Sequence, residues 1–213
     1  MSGDKRIARA KDVYEQAVFG GDTGGLAKAE RDLDGVEADL ALARGRILHA
    51  RYFEQKTEDP RELELFQRAA ELYQKAGDVR GEGEAQFWIG VVHQFIRRDN
   101  GTAVPALTKA AELARQAGDK STLAYAFRHL GIAEHSQGHL NGARAFLGES
   151  TRLRREIGLL AGVAANLVGL TYITAAEGDR DAALALIEEA RTLAEASGAF
   201  GILPSIEEAR ATL

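Results

Sequence analysis

The chain has 213 residues, 45% hydrophobic and 28% charged, with a formal net charge of −5 and no cysteine. That length can bury a sizeable core, and the missing cysteine excludes disulfides, thiolate metal sites and a cysteine nucleophile. The acidic balance argues against direct contact with nucleic acid or an anionic membrane surface, because both need a positive field.

Abundant Ala, Leu, Glu and Arg, only three prolines and few β-branched or aromatic residues predict an all-α fold. The opening stretch, MSGDKRIARAKD, has no apolar core and does not read as a secretory signal. No apolar run approaches the roughly 20 residues of a membrane helix, so a cytoplasmic location is expected. Residues 1–35 read as a degenerate hairpin: Ile7, a Gly20-Gly21-Asp22 turn, Leu26 and a second break at Gly35.

From residue 36 onward a period appears. AELYQKAGD at residues 70–78 returns as AELARQAGD at residues 111–119, with six of nine positions identical. Gly77, Gly118, Gly158 and Gly198 continue the same spacing. Three further columns keep step with it: Leu48/Ile89/Leu130/Leu170, Phe66/Leu107/Leu147/Ile187 and Ala69/Ala110/Ser150/Ala190. A fixed period of 40–41 residues marks stacked supersecondary units. The units are 36–78, 79–119, 120–159 and 160–199.

Each unit reads as two helices joined by a polar turn. In the third, Ala124, Phe127, Leu130 and Ala133 share one helical face, SQGHLNG makes the turn, and Ala143, Leu147, Ser150 and Leu153 mark the second face. Asp59-Pro60 signals a helix start in the first unit, and Gly178-Asp179 breaks and caps in the fourth. Gly158 fits a left-handed position that ends a helix. Residues 200–213 add an amphipathic helix, with Ser205 and Glu208 as a capping box and Ile202, Leu203, Ile206 and Ala209 placed to cover the last hairpin.

Helix pairs with Ile89-Gly90 or Leu130-Gly131 in the first helix, Gly138 or Gly178 at the turn, and Ala103-Leu107-Ala110 or Ala183-Ile187-Ala190 in the second resemble tetratricopeptide repeats. Ala143-Leu147-Ser150 comes close to the same pattern. The family's usual period is about 34 residues. The longer period here is similar to the variant found in regulatory arms of bacterial transcriptional activators. The resemblance implies a right-handed α-solenoid of antiparallel hairpins, about 10–11 helices in all, acting as a protein- or peptide-binding scaffold. A sensor or regulatory arm that binds a small peptide or effector is the alternative, with Asn166, Arg128, His135 and Gln94 touching a peptide backbone. In such stacks the first helix of each pair lines the concave face. Positions flanking the Leu48/Ile89/Leu130/Leu170 column then nominate Arg46, Phe53, Phe87, Val91, Gln94, Tyr125, Arg128, Ile132, His135 and Tyr172.

Other motifs read as structural. His135 and His139 lie four apart, but Gly138 interrupts their face and no carboxylate completes a ligand set. FGGDTGGLAK at residues 19–28 matches no phosphate-binding pattern and reads as a flexible turn. Arg144, Arg152, Arg154 and Arg155 form a basic stretch expected on an outer helix, a solvated face or a dock for an acidic protein. Glu188-Glu189 and Glu207-Glu208 fall on expected exposed surface. No hydroxyl, histidine and carboxylate set suggests catalysis, so no enzyme activity and no cofactor are expected. The expected partner is a protein or peptide, with a homodimer as a further option.

Overall fold

The computed structural model describes residues 3–213. Among them the chain is helical, without strands: α1 (Lys5–Gly20), α2 (Leu26–Gln55), α3 (Arg61–Ala76), α4 (Val79–Val91), α5 (Asn100–Ala117), α6 (Lys120–Ser136), α7 (Leu140–Glu156), α8 (Leu160–Ala176), α9 (Arg180–Ala196) and α10 (Leu203–Ala211). The strongest contacts join α2 to α3, α4 to α5, α6 to α7 and α8 to α9, and each hairpin packs on the next in order. This is an all-α helical-repeat arrangement. No helix among the described residues is long and apolar enough to cross a membrane.

The sequence columns explain the packing. Phe66, Leu107, Leu147 and Ile187 are all at most 2% exposed, and Ala69, Ala110, Ser150 and Ala190 are fully buried. The large column needs a hole in the facing helix, and glycine supplies it. A β-carbon on Gly90 would lie 2.6 Å from Leu107 Cγ, and one on Gly131 would lie 3.0 Å from Leu147 Cγ. Gly45 likewise makes room for Phe66. Within each of these hairpins one helix thus inserts its large side chain where the other has only backbone.

Local signals set the helix ends. Asp78, Asp99, Asp119 and Asp179 accept backbone N–H bonds at the starts of α4, α5, α6 and α9. Asp59 accepts from the Arg61 N–H at 3.0 Å. Gly77, Gly118, Gly158 and Gly198 all have φ between +68° and +72°, the left-handed conformation that closes a helix. The turn inside each hairpin needs a left-handed residue as well. Units three and four use Gly138 and Gly178, whereas Lys56 and Arg98 adopt it in units one and two. In the second unit α4 runs on into a π-helical turn, Val92–Ile96.

Two expectations need correction. The boundary at residue 35 lies inside α2, which runs unbroken for 30 residues. One interior glycine costs about 1 kcal/mol relative to alanine, too little to break a helix packed along both α1 and α3. Ser205 and Glu208 form no capping box, because a 3₁₀ turn at Phe200–Ile202 leads straight into α10 and starts it before Ser205. The helix still docks: Ile206 and Ala209 are fully buried in the cluster with Leu167 and Ile187.

Candidate functional site

The first helices of successive hairpins stand side by side, and two recesses open along them. One, of about 360 Å³, lies between α6, α8 and α10 and is lined by Arg128, Ile132, His135, Val168, Tyr172, Ser205 and Glu208, among others. The second, of about 250 Å³, lies between α2, α4 and α6 and is lined by Arg46, Glu84, Phe87, Trp88, Ser121, Thr122 and Tyr125. Tyr125 and Arg128, three residues apart on α6, belong one to each recess. Seven of the ten nominated residues therefore line these two recesses: Arg46, Phe87, Tyr125, Arg128, Ile132, His135 and Tyr172.

The other three do not join them. Val91 is 3% exposed and Gln94 8% exposed. Gln94 is spent internally: its amide donates to the His129 carbonyl at 3.0 Å and to Asn100 Oδ1 at 3.1 Å, and its carbonyl faces His129 Nδ1 at 2.6 Å. Phe53 is exposed, but near the C-terminal end of α2, edge-on to His49 and against Phe95. Phe87 reaches its recess only as a wall, being 5% exposed. The physical reason is shared. A first helix in the middle of the series contacts helices on several sides, so only a narrow arc of it stays open. Asn166 is also interior, fully buried with its amide on Ser150 Oγ and Thr151 Oγ1.

Arg128 is the unusual member. Its Nη1 donates to the Ala165 carbonyl at 2.8 Å and to Asn166 Oδ1 at 3.1 Å, while Nε and Nη2 meet no acceptor among the described residues. Among the described residues no carboxylate comes within ion-pair distance of it, and Glu208 lines the same recess without pairing with it. Burial holds its guanidinium below the ordinary arginine range. Behind it lies a second cation. Arg154 is 1% exposed, with its guanidinium 4.6 Å from the Tyr125 ring centre. It donates one bond to the Gly162 carbonyl at 2.6 Å, and Nε and Nη2 find no partner. Burial first, and then Arg128, push Arg154 down to about 10. The same environment pushes the half-buried His129 imidazole down to about 3, through burial first and then the two arginines. Under the recesses there is thus uncompensated positive charge in a low-dielectric setting, which favours a bound anion.

The basic stretch is different from its expected form. Arg144 pairs with Glu177, Arg152 with Glu149 and Glu156, and Arg155 with Glu189, so each exposed cation is neutralised within the chain. Arg154 points inward. Its column was readable: Tyr73, Ala114, Arg154 and Ala194 recur in step and all are buried. The residue eight places later compensates for size, with glycine opposite the large members (Gly81, Gly162) and Thr122 or Ile202 opposite alanine. His139 starts α7 and faces Glu134 at 3.2 Å, beyond the turn at Gly138 from His135. Among the described residues no three His, Asp or Glu side chains gather as a metal cluster.

No protein-family model matches the chain. No curated protein matches it in sequence. Among solved structures the chain is similar to the crystal structure of BtubC (BKLC) from P. vanneervenii, at 16% identity and a TM-score of 0.47, covering 91% of this chain and 90% of that one.

Proposed function

We propose that the chain is a right-handed solenoid of the tetratricopeptide kind that holds a protein or peptide segment along the face formed by α4, α6 and α8. The segment carries a carboxylate, either a side chain or a C-terminus, and Arg128 receives it. The observation behind this reading is the Arg128 guanidinium: it lines a recess, has donors left over and pairs with no carboxylate among the described residues. A charge-assisted pair formed there would be stronger than one at the open surface. Ile132, Val168 and Tyr172 supply apolar walls around it, and Phe87, Trp88 and Tyr125 line the neighbouring recess. A few polar groups inside an aromatic and aliphatic lining are what a recognition site needs. The absence of cysteine fits a reducing compartment.

The test is selection from a display library of random peptides with free C-termini, followed by calorimetric titration. Enriched peptides should carry a carboxylate. Arg128→Met should weaken their binding at least about tenfold, the scale of one charge-assisted bond. Arg128→Lys should recover part of the loss. The single tryptophan, Trp88, lines the second recess and should change its fluorescence when the segment extends there. A selected set without carboxylates, or affinity indifferent to Arg128→Met, sinks the reading.

A further inference from the structure

The apolar surface of this protein is unevenly spread. Among the described residues thirteen large apolar side chains are exposed, and nine of them stand on α1 and α2. On α2 they form one line: Leu26, Leu33, Leu40 and Ile47, seven residues apart. A seven-residue repeat keeps side chains along one face of a helix and is the spacing that packs against a second helix. The line beside it is charged, and its sign changes midway. Glu30 and Glu37 lie in the N-terminal half, Arg44 and Arg51 in the C-terminal half, also seven apart and all exposed. The halves differ overall as well. Residues 26–39 hold five carboxylates against Lys28 and Arg31, whereas residues 40–55 hold three arginines against Glu54.

We propose that α2 is the two-fold interface of a homodimer, in which a second copy packs antiparallel on it with the axis beside Leu40. An antiparallel arrangement with that centre sets Leu40 on Leu40, Leu33 on Ile47, Glu37 on Arg44 and Glu30 on Arg51 of the second copy. A parallel arrangement would instead stack acidic half on acidic half and basic half on basic half. The surface is therefore complementary to itself in one orientation, which is what an isologous interface requires. The groove that receives the second copy is present. It measures about 710 Å³ between α2 and α3, with Ala43, Ile47, Leu48 and Leu65 at its floor and Arg44 and Arg51 among the cations at its rim. An apolar floor with a basic rim matches the leucine line with its acidic border. Among the described residues Glu30, Arg44 and Arg51 have no ion pair, which leaves them to pair across the axis, while Glu37 already meets Arg68 at 2.8 Å.

The absence of cysteine makes a direct test simple. Leu40→Cys places one thiol beside the axis, and mild oxidation should give a disulfide-linked dimer in high yield. Gln116→Cys, on an exposed part of α5, should not. Sedimentation equilibrium of the full chain should show a dimer at about 100 µM, an ordinary affinity range for such a patch. Arg44→Glu with Arg51→Glu should raise its dissociation constant at least about tenfold, and so should Glu30→Arg with Glu37→Arg. Mixed together, these two doubly substituted chains should form a heterodimer, since each supplies the charge the other lost. A wild-type chain that stays monomeric, Leu40→Cys cross-linking no better than Gln116→Cys, or two reversed variants that dimerise as well alone as together would each overturn the proposal.

Discussion

The packing of large side chains against glycine predicts a coupling that can be measured. Gly90 sits mid-helix in α4, where alanine would ordinarily help by about 0.8–1 kcal/mol. Here the added carbon would lie 2.6 Å from Leu107 Cγ and 2.7 Å from Leu107 Cδ2, inside the contact limit, and 3.3 Å from the Ala103 carbonyl oxygen. Leu107 is fully buried and cannot swing into solvent. The clash of an overpacked core costs about 1–3 kcal/mol, so it cancels or exceeds the propensity gain. Gly90→Ala alone should therefore be neutral to destabilising by up to about 2 kcal/mol, the difference between those two effects. Leu107→Ala alone should cost about 2–5 kcal/mol, the range for truncating a buried leucine. In that background the clash is gone, and Gly90→Ala should turn stabilising. Urea unfolding of the four proteins gives the cycle, and the coupling should be about 1–3 kcal/mol. If Gly90→Ala stabilises the wild-type chain by a full propensity increment, or acts equally in both backgrounds, the glycine is not there to admit Leu107.

Other glycines separate the competing effects. Gly148 on the exposed face of α7 has open space where its β-carbon would be, so Gly148→Ala should stabilise by about 0.5–1 kcal/mol, whereas Gly138→Ala, equally open but at φ +77°, should cost about 1 kcal/mol in unfolding experiments. His129 is held neutral, with its pKa near 3 in the fold against about 6.5 unfolded. Its contribution is thus intact above pH 6.5 and is lost as pH falls toward 3, at up to about 1.4 kcal/mol per pH unit. His129→Gln should flatten that acid limb when unfolding is followed from pH 7 to 4.5, and an unchanged limb would show that the imidazole is solvated. Deleting Ile202 to Leu213 removes the fully buried Ile206 and Ala209 and uncovers the α8–α9 end. Sedimentation should then show aggregation together with a lower melting temperature, and a monomer with unchanged melting would show that α10 covers nothing.

How much of this could be read from the residues follows from repetition. A column written four times separates packing from chance, so the Phe66 and Ala69 columns were legible, as were the unit starts at Val79, Lys120 and Leu160. Features written once were harder. Gly35 looked like a break because glycine is a poor helix former, but helix continuity is decided by the packing on both sides. One column alone draws the open arc of the first helices too wide, since Val91 and Gln94 lie on the side covered by neighbouring helices. By its charge Arg154 reads as an exterior residue. Only comparison with Tyr73, Ala114 and Ala194, and with the glycines opposite Tyr73 and Arg154, marks its position as interior. The exposed line on α2 follows a seven-residue spacing rather than the forty-residue one, so the repeat columns do not contain it.

The buried cations bear on why this chain departs from a plain stack. At the position of Arg154 two other units use alanine and one uses tyrosine, and all three are buried. A guanidinium there forfeits hydration, makes one hydrogen bond and leaves two nitrogens unpartnered. Replacing even a buried ion pair by apolar residues of similar volume is often neutral or stabilising by about 1–4 kcal/mol, and an unpaired buried charge starts from a larger desolvation cost. Arg154→Met should accordingly raise stability in denaturant or leave it unchanged. Under the proposed reading it should also weaken carboxylate binding, because Arg154 contributes to the positive field at Tyr125 and Arg128. Stability and affinity would then move in opposite directions, the pattern of a residue kept for a ligand at the expense of the fold. A loss of both would mean instead that the Gly162 carbonyl bond and the stacking on Tyr125 hold α7 to its neighbours. The charge would then be structural, and the case for Arg128 as an anion receptor would have to stand without it.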